Sequence, residues 1–308
     1  MKYELKELSF GKTIGQSLNL YFSNLIKFIV IGLVFIFSFI FLAICVFLIT
    51  YFFSDPKKFD LSGSFLYEGS VFFVILFYAF FFLLYLGVSG LFVEIISGEY
   101  TNRGLKFSEY RQIVFKNIFP LVKLGISLLV SIFLCLFLFS LILLPLSLAG
   151  RSIMQMENDP GSLLAAFMLS LLFLLLIAAL LCGFSIALPI LILEKQGALA
   201  ALKRSWSLTR KNKLRIFFLF LVLNFIKYTG IAVAATPIMI LFSIFQFKVL
   251  QLMIPPLFLI LLAGVAMPSL DMCLTVLIYY NMRIKKEGFE IEHLADQFVL
   301  PENEGTTS

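Results

Sequence analysis

Two of the few ionisable side chains within the apolar runs of this chain are spaced so that they could meet. Lys227 follows Arg215 by 12 residues, and Asp271 precedes Arg283 by 12 residues. With a helical rise of 1.5 Å per residue, each charge would lie roughly 18 Å from its basic boundary. Consecutive spanning helices run antiparallel, and a lone charge in hydrocarbon is unfavourable. We therefore predict that Lys227 and Asp271 form an ion pair between two neighbouring helices.

The chemistry of this pair has three open interpretations. In the first, the two charges neutralise each other and lock the helices together. In the second, Asp271 is a proton or cation site of a transporter, and Pro237 and Pro268 open the helices locally and expose backbone carbonyls. In the third, Lys227 extends its ammonium toward the interface independently of Asp271.

A second candidate pair consists of Glu94 and Lys123, each within about two helical turns of the same boundary. The sequence contains no HExxH, GxSxG or Walker motif and no carboxylates paired at a catalytic spacing. The single histidine, His293, is interpreted as a solvated residue of the C-terminal tail. We therefore expect no catalytic residues, no metal site and no cofactor.

The composition indicates which elements must position these residues. The chain is 61% apolar and only 14% charged, and its mean hydropathy is +1.04. Such a composition is typical of a membrane protein, in which a spanning helix needs about 20 apolar residues. The absence of strand-like alternation in the sequence favours helices over a barrel. Six segments are long enough to span: 25–53, 71–97, 118–148, 162–193, 216–245 and 254–281.

The distribution of basic residues predicts the orientation of these helices. Seventeen lysines and arginines fall in the N-terminal segment, in 98–117, in 194–215 and in the C-terminal tail, against four in the opposite loops. Because basic loops stay on the cytoplasmic side, we expect a multi-pass protein of the cytoplasmic (inner) membrane with both termini in the cytoplasm. The polar first 24 residues do not resemble a cleavable signal peptide.

The most basic segment of the chain surrounds its only tryptophan. Seven basic residues lie between positions 195 and 215. On a helical wheel four of these charges, those of Lys203, Arg204, Arg210 and Lys211, face away from the apolar positions, as in a helix that lies in the headgroup plane. We predict binding of anionic lipid, or of a membrane or cytoplasmic protein partner, although such a helix can also serve only to orient the bundle. No nucleic-acid partner is expected, because no fold motif for one accompanies the charge. The candidate binding residues are Lys203, Arg204, Trp206, Arg210 and Lys211.

Similar short stretches precede three of the predicted spans. They end at Asn24, Asn117 and Asn212, which are 93 and 95 residues apart. Each is predicted to be a short amphipathic interfacial helix followed by two spanning helices, which gives a pseudo-threefold repeat. The repeats cover about 8–97, 105–193 and 197–288 of a single membrane domain (1–296), and residues 297–308 are expected to form a disordered tail.

Two motifs carry a resemblance to a known family. The first is ALKRSWSLTRKNKLRIF, and the second is LTVLIYYNMRIKKEGFEIE at the end of the last apolar run. Both resemble the membrane domain of the glycerophosphoryl diester phosphodiesterase family, to which YciC-like membrane proteins are similar. Asn281 stands where the family usually has Asp, and Lys211 stands where it usually has Gly. The motif positions are Ser205, Trp206, Leu208, Thr209, Asn212, Tyr279, Asn281, Arg283, Glu287 and Gly288.

The resemblance implies a membrane bundle and does not imply phosphodiesterase activity. In some relatives a soluble phosphodiesterase domain is fused to such a bundle, and we expect no such domain in the roughly 25 residues after Arg283. The prediction is an all-α, six-helix transmembrane protein with three interfacial helices. Its expected role is non-catalytic, to bind lipid or to organise an envelope-associated partner. The alternative is a small transporter or channel that uses Lys227 and Asp271.

Overall fold

The structure is a computed structural model that describes residues 7–53, 65–101, 107–150, 160–244 and 248–288. All regular secondary structure within these residues is helical. His293, the predicted tail 297–308 and most of the loops opposite the basic segments lie outside the described residues. The helices are α1 Phe10–Ser23, α2 Leu25–Phe53, α3 Phe65–Tyr100, α4 Phe107–Lys116, α5 Ile118–Gly150, α6 Pro160–Phe184, α7 Ala187–Leu193, α8 Ala198–Thr209, α9 Lys213–Ile244 and α10 Lys248–Glu287.

The length and apolar character of these helices show that the chain is an integral membrane protein. Within the described residues, four segments could cross a membrane, and the bent pair α1–α2 makes a fifth if it counts as one span. The angle between the two helices of that pair is 69°. The prediction of six spans is therefore supported only in its coarser form, as a helical protein with four or five candidate spans. The four segments are Phe82–Tyr100, Ile118–Phe137, Leu171–Leu193 and Lys213–Val233.

Asparagine marks the end of each predicted short helix. α1, α4 and α8 all precede a long helix, and Asn24, Asn117 and Asn212 lie at the three breaks. The Asn24 N–H donates to the Tyr21 carbonyl at 3.2 Å, and the Asn24 carbonyl accepts from the Phe28 N–H at 3.1 Å. Asn212 makes the equivalent pair of bonds at the start of α9. One residue thus satisfies the end of one helix and the beginning of the next, where backbone groups lack partners.

The described chain divides into two compact units. The first comprises Ser9–Ile118 and Phe220–Leu277, and therefore holds α1 to α4 and parts of α9 and α10. The second comprises Phe119–Leu219 together with the described residues 7–8 and 278–288. Because each long helix is apolar along most of its length, the packing within each unit is decided mainly by small and aromatic residues.

Aromatic rings form the core of the first unit. Phe28 stacks on Tyr21 with ring centroids 5.9 Å apart and meets the edge of Phe92 with centroids 5.5 Å apart. Tyr110 of α4 approaches α3 at Gly98, where a Cβ atom would collide with the phenol oxygen. Glycine at position 98 thus lets the Tyr110 side chain pack against the backbone of α3.

The core of the second unit lies where α8 packs on α6 and α7. Ile186, Ala187 and Ile190 are fully buried, as is Ala201 of α8. Alanine lets the two helix backbones approach closely, which brings the hydroxyl groups of Ser205 and Thr209 on α8 within hydrogen-bonding distance of the end of α6. This contact positions the candidate site.

Candidate functional site around Arg204

α8 is fastened to the end of α6 by two hydroxyl groups. The Ser205 hydroxyl donates to the Gly183 carbonyl at 2.8 Å, and the Thr209 hydroxyl lies 3.1 Å from the same oxygen and 2.9 Å from the Ser205 carbonyl. Gly183 is in the last turn of α6, so its carbonyl needs a partner from outside that helix. The two family-motif hydroxyls therefore satisfy a buried backbone acceptor.

Trp206 packs on protein atoms beside this anchor. A Cβ atom at Gly183 would overlap the Trp206 ring, and the Phe184 ring centroid lies 5.5 Å from that of Trp206. The Lys213 ammonium lies 3.2 Å from the ring centroid, which is a cation–π contact. Tryptophan thus closes the α6–α8 contact on one side and holds a cation on the other.

The charged side chains of this unit form a closed ring of hydrogen bonds. Arg204 donates to Glu194 at 2.9 Å and to Glu287 at 2.7 and 2.9 Å. Arg283 donates to Glu287 at 3.1 Å and to the Tyr279 hydroxyl at 3.2 Å. The Tyr279 hydroxyl completes the ring by donating to Glu194 at 3.2 Å. We call these five residues the charged ring; they join the segment after α7 to α8 and α10.

The charged ring is electrostatically balanced, because two guanidinium groups face two carboxylates. Burial lowers the pKa of Arg204, but hydrogen bonds from its guanidinium to Glu194 and Glu287 outweigh this effect and raise the pKa above its usual value. Burial raises the pKa of Glu287, and hydrogen bonds from Arg204 and Arg283 more than offset it, so this pKa is lowered. Both groups are therefore charged at neutral pH, and the charge of Arg204 is directed into the protein.

The other basic residues predicted on α8 point outward. Lys203, Arg210 and Lys211 are exposed. Lys286 of α10 reaches α8, where its ammonium donates to the Ser207 carbonyl at 2.7 Å. Burial and the neighbouring charge of Lys211 lower the pKa of Lys286, so these cations are close enough to repel one another. Lys203 lies on α8, and Arg210 and Lys211 directly follow its last residue, Thr209; we call these three the exposed cations of α8.

Asn281 clamps a segment that is far away in the sequence. Its side-chain oxygen accepts from the Leu8 N–H at 3.0 Å, and its side-chain nitrogen donates to the Leu8 carbonyl at 3.3 Å. Arg215 also donates to that carbonyl, and Lys285 pairs with Glu7 at 3.0 Å. An aspartate, which is usual in the family, could accept the N–H but could not donate to the carbonyl. The asparagine at position 281 is therefore able to make both bonds to Leu8.

Two further motif residues have local roles. The Asn212 side chain lies 3.4 Å from the Met282 sulfur. Gly288 has a φ of 66°, a backbone conformation that favours glycine, and its N–H donates to the Ile284 carbonyl at 3.2 Å. This residue ends α10 directly after Glu287 and so fixes where the last turn of that helix presents its carboxylate.

The predicted contact between Lys227 and Asp271 is present in the first unit. The Lys227 ammonium lies 2.7 and 2.8 Å from the two carboxylate oxygens. The Lys227 side chain is 6% exposed, whereas that of Asp271 is 31% exposed. The Thr275 hydroxyl donates to the backbone carbonyl of Asp271 at 2.8 Å, which satisfies this hydroxyl within α10. The pair is asymmetric, with a buried cation and a partly accessible anion.

The second candidate pair is divided between the two units. Glu94 is buried in α3, within the first unit, and Lys123 is exposed on α5, within the second. Because the two residues belong to different units, the contact between them is not tested, and the pair stays a prediction.

Glu194 was missed by sequence reasoning as a site residue. A signal for it existed, because it is the only carboxylate between Asp159 and Asp271 and it directly precedes the basic segment. A lone acidic residue next to seven cations at the end of an apolar run is a natural partner for one of them. Leu8 offered no comparable signal, because its role is carried by its backbone rather than by its side chain.

Comparison with known proteins finds one family model that matches the part of the chain containing these residues. A family model described as the membrane domain of glycerophosphoryl diester phosphodiesterase matches residues 162–297. This range includes Gly183, the charged ring and Asn281, and it excludes Leu8. No curated protein and no solved structure matches the chain. The resemblance carried by the two motifs is thus confirmed over this range, in which the chain is similar to the membrane domain of glycerophosphoryl diester phosphodiesterase.

Proposed function

We propose that this protein is a non-catalytic membrane protein that holds anionic lipid on the exposed cations of α8. The observation that carries the proposal is that residues on opposite sides of this segment make different contacts. Ser205 and Thr209 fasten one face to Gly183, while the exposed cations stay accessible on the other. Each basic residue near an anionic leaflet contributes about 1 kcal/mol, so three of them together can retain a lipid headgroup.

The proposal includes a membrane topology. We infer six spans in the cytoplasmic membrane, with three interfacial helices and both termini on the cytoplasmic side. The support is the basic-residue asymmetry together with the three short helices that end at asparagine. Cysteine labelling tests it: in a cysteine-free background, Lys58→Cys and Ser152→Cys should react from outside, and Ser207→Cys should not. The reverse labelling pattern would refute the topology.

The lipid proposal is tested by charge-neutral replacement. The triple variant Lys203→Gln, Arg210→Gln, Lys211→Gln should retain roughly 10- to 100-fold less anionic lipid during purification, because up to about 3 kcal/mol of attraction is removed. The loss should shrink as salt is added, since exposed charges are screened. Bound phospholipid is measured by mass spectrometry of the purified protein.

A matched control removes three charges elsewhere. Lys12, Arg111 and Lys116 are exposed on or beside the other two short helices, and their replacement by glutamine lowers the net charge equally. If both triple variants lose lipid to the same extent, the attraction is general and α8 holds no specific site. If neither loses lipid, the cations serve the topology alone, or bind an acidic protein partner that a pull-down at low salt would recover.

A second candidate function is transport through the Lys227 and Asp271 pair. It is favoured by the accessibility of the Asp271 carboxylate, which remains 31% exposed although its partner is buried. Proton- or cation-dependent flux into liposomes containing the purified protein tests this function, and a lipid-binding protein without a transport role should show none.

A further inference from the structure

Glu287 lies where two guanidinium groups converge. Arg204 Nη1 and Nη2 lie 2.7 and 2.9 Å from its two carboxylate oxygens, and Arg283 Nε lies 3.1 Å from one of them. Three donors from two arginines, directed at one anionic group, are also the arrangement with which proteins hold phosphate. The carboxylate thus occupies a position that a phosphate oxygen group would fit.

Glu287 is also the carboxylate of the charged ring that can leave most easily. Its side chain is 26% exposed, whereas those of Glu194 and Arg283 are 12% and 18% exposed. It belongs to the last turn of α10, and Gly288 follows with a left-handed backbone conformation. Rotation of this one side chain toward solvent would vacate the position without moving the rest of the ring.

The two guanidinium groups would keep their places after that rotation. Glu194 holds Arg204 through Nε at 2.9 Å, and Tyr279 holds Arg283 through Nη1 at 3.2 Å. With Glu287 displaced, the remaining members of the ring carry a formal charge of +1. Donors that are already oriented bind an anion at a lower cost in side-chain entropy than mobile ones do.

We propose that Arg204 and Arg283 form a gated site for a phosphate monoester, carried by a lipid headgroup or free, and that Glu287 occupies this site until the ligand displaces it. The site is separate from the exposed cations of α8, and it does not depend on the lipid binding proposed for them. A phosphate monoester fits better than a carboxylate because it offers more oxygens and more negative charge to the three donors.

The test is to remove the charge with which Glu287 competes for the site, by mutation in the full-length protein in detergent. Glu287→Gln should bind a phosphate monoester about tenfold more tightly than the wild type, which corresponds to about 1.4 kcal/mol. Phosphatidate and inorganic phosphate are titrated separately and bound species are counted by native mass spectrometry. A gain for both probes identifies phosphate chemistry as sufficient, and a gain for phosphatidate alone identifies a lipid headgroup as the ligand. No gain for either probe overturns the proposal.

Two controls separate the site from a general effect of charge. Glu7→Gln makes the same change in net charge and frees the Lys285 ammonium, so an equal gain in that variant would overturn the proposal. The double variant Arg283→Gln, Glu287→Gln should lose the gain, and a gain that persists without Arg283 would also refute the site.

A measurement on the wild type covers the case in which Glu287→Gln does not fold. The Gly288 N–H donates to the Ile284 carbonyl in the turn that carries Glu287. Displacement of Glu287 by phosphatidate should loosen this turn and speed hydrogen exchange at Gly288 by several-fold. Unchanged exchange at saturating phosphatidate would show that the carboxylate stays in place, and would refute the gated site.

Discussion

Removing one partner of the Lys227–Asp271 pair should destabilise the protein more than removing both. Asp271→Leu leaves an ammonium that is only 6% exposed and had been bonded to both carboxylate oxygens at 2.7 and 2.8 Å. A stranded charge in hydrocarbon costs roughly 2.5–3.5 kcal/mol, so we expect a loss of about 3 kcal/mol in the free energy of unfolding. Lys227→Met leaves a carboxylate that is 31% exposed and can take up a proton. We expect a smaller loss of about 2 kcal/mol there.

The double variant completes the cycle. Lys227→Met with Asp271→Leu places two apolar side chains in contact and leaves no charge, so its loss should be smaller than about 2 kcal/mol, a recovery of at least about 3 kcal/mol relative to the sum of the single losses. Unfolding in mixed micelles with increasing denaturing detergent, followed by circular dichroism, gives the four free energies. Lys123→Met, which changes an exposed lysine on α5, is the control and should stay within about 0.5 kcal/mol of the wild type.

Two results would contradict this reasoning. Additive losses would show that the two charges do not stabilise each other, whatever their separation. A larger loss for Lys227→Met than for Asp271→Leu would show that the exposed fraction of the remaining partner does not set the cost. In that case the carboxylate, rather than the ammonium, would be the group that the surrounding protein cannot accommodate alone.

Three further perturbations test the second unit. Gly183→Ala should lower the free energy of unfolding by about 1–3 kcal/mol because its Cβ collides with the indole ring of α8, whereas Gly15→Ala, whose Cβ meets nothing within 4 Å, should be neutral or slightly stabilising. The pKa of Glu287 is lowered in the folded protein, so the ionised carboxylate stabilises the fold fully above the usual pKa of 4.5, and this stabilisation is lost as the pH falls below that value. Glu287→Gln should therefore flatten the acid side of a plot of unfolding free energy against pH between pH 7 and pH 3. An unchanged acid side would contradict the lowered pKa. Asn281→Asp should cost about 1 kcal/mol because the Leu8 carbonyl loses one of its two donors and keeps Arg215. Limited proteolysis should then cleave the N-terminal segment faster, and an equal rate would show that the clamp is not needed.

Much of the secondary structure followed from local patterns. The three short helices were predicted from apolar periodicity before Asn24, Asn117 and Asn212, and each asparagine does lie at a helix break. A break of this kind depends on backbone groups within about four residues, so sequence reveals it. The amphipathic placement of these helices at a membrane surface, and their threefold relation, stay predictions.

The roles of individual charges were harder to predict. Arg204 and Arg210 look alike on a helical wheel, yet Arg204 is held by Glu194 and Glu287 while Arg210 is exposed. The two partners of Arg204 lie 10 and 83 residues away in the sequence. Helical periodicity does not predict contacts at such separations. The Lys227–Asp271 contact was predictable because the depth of each residue in the membrane can be counted along the sequence, and the two residues have equal depths on consecutive antiparallel helices.

The sequence by itself determined that this is a helical membrane protein with a basic segment after its fourth apolar run and with two motifs that resemble those of one family. Apolar length, charge asymmetry and local spacing are properties of the chain, and the membrane responds to them directly. Only the tertiary structure decided that Asn281 clamps the backbone of Leu8, 273 residues away, and that Arg204 is neutralised inside the protein. The backbone groups of Leu8 are the same as those of other residues, so the sequence does not single them out. The carboxylates that neutralise Arg204 are those that helix packing brings within 3 Å of it, so the packing had to be known before either contact could be predicted.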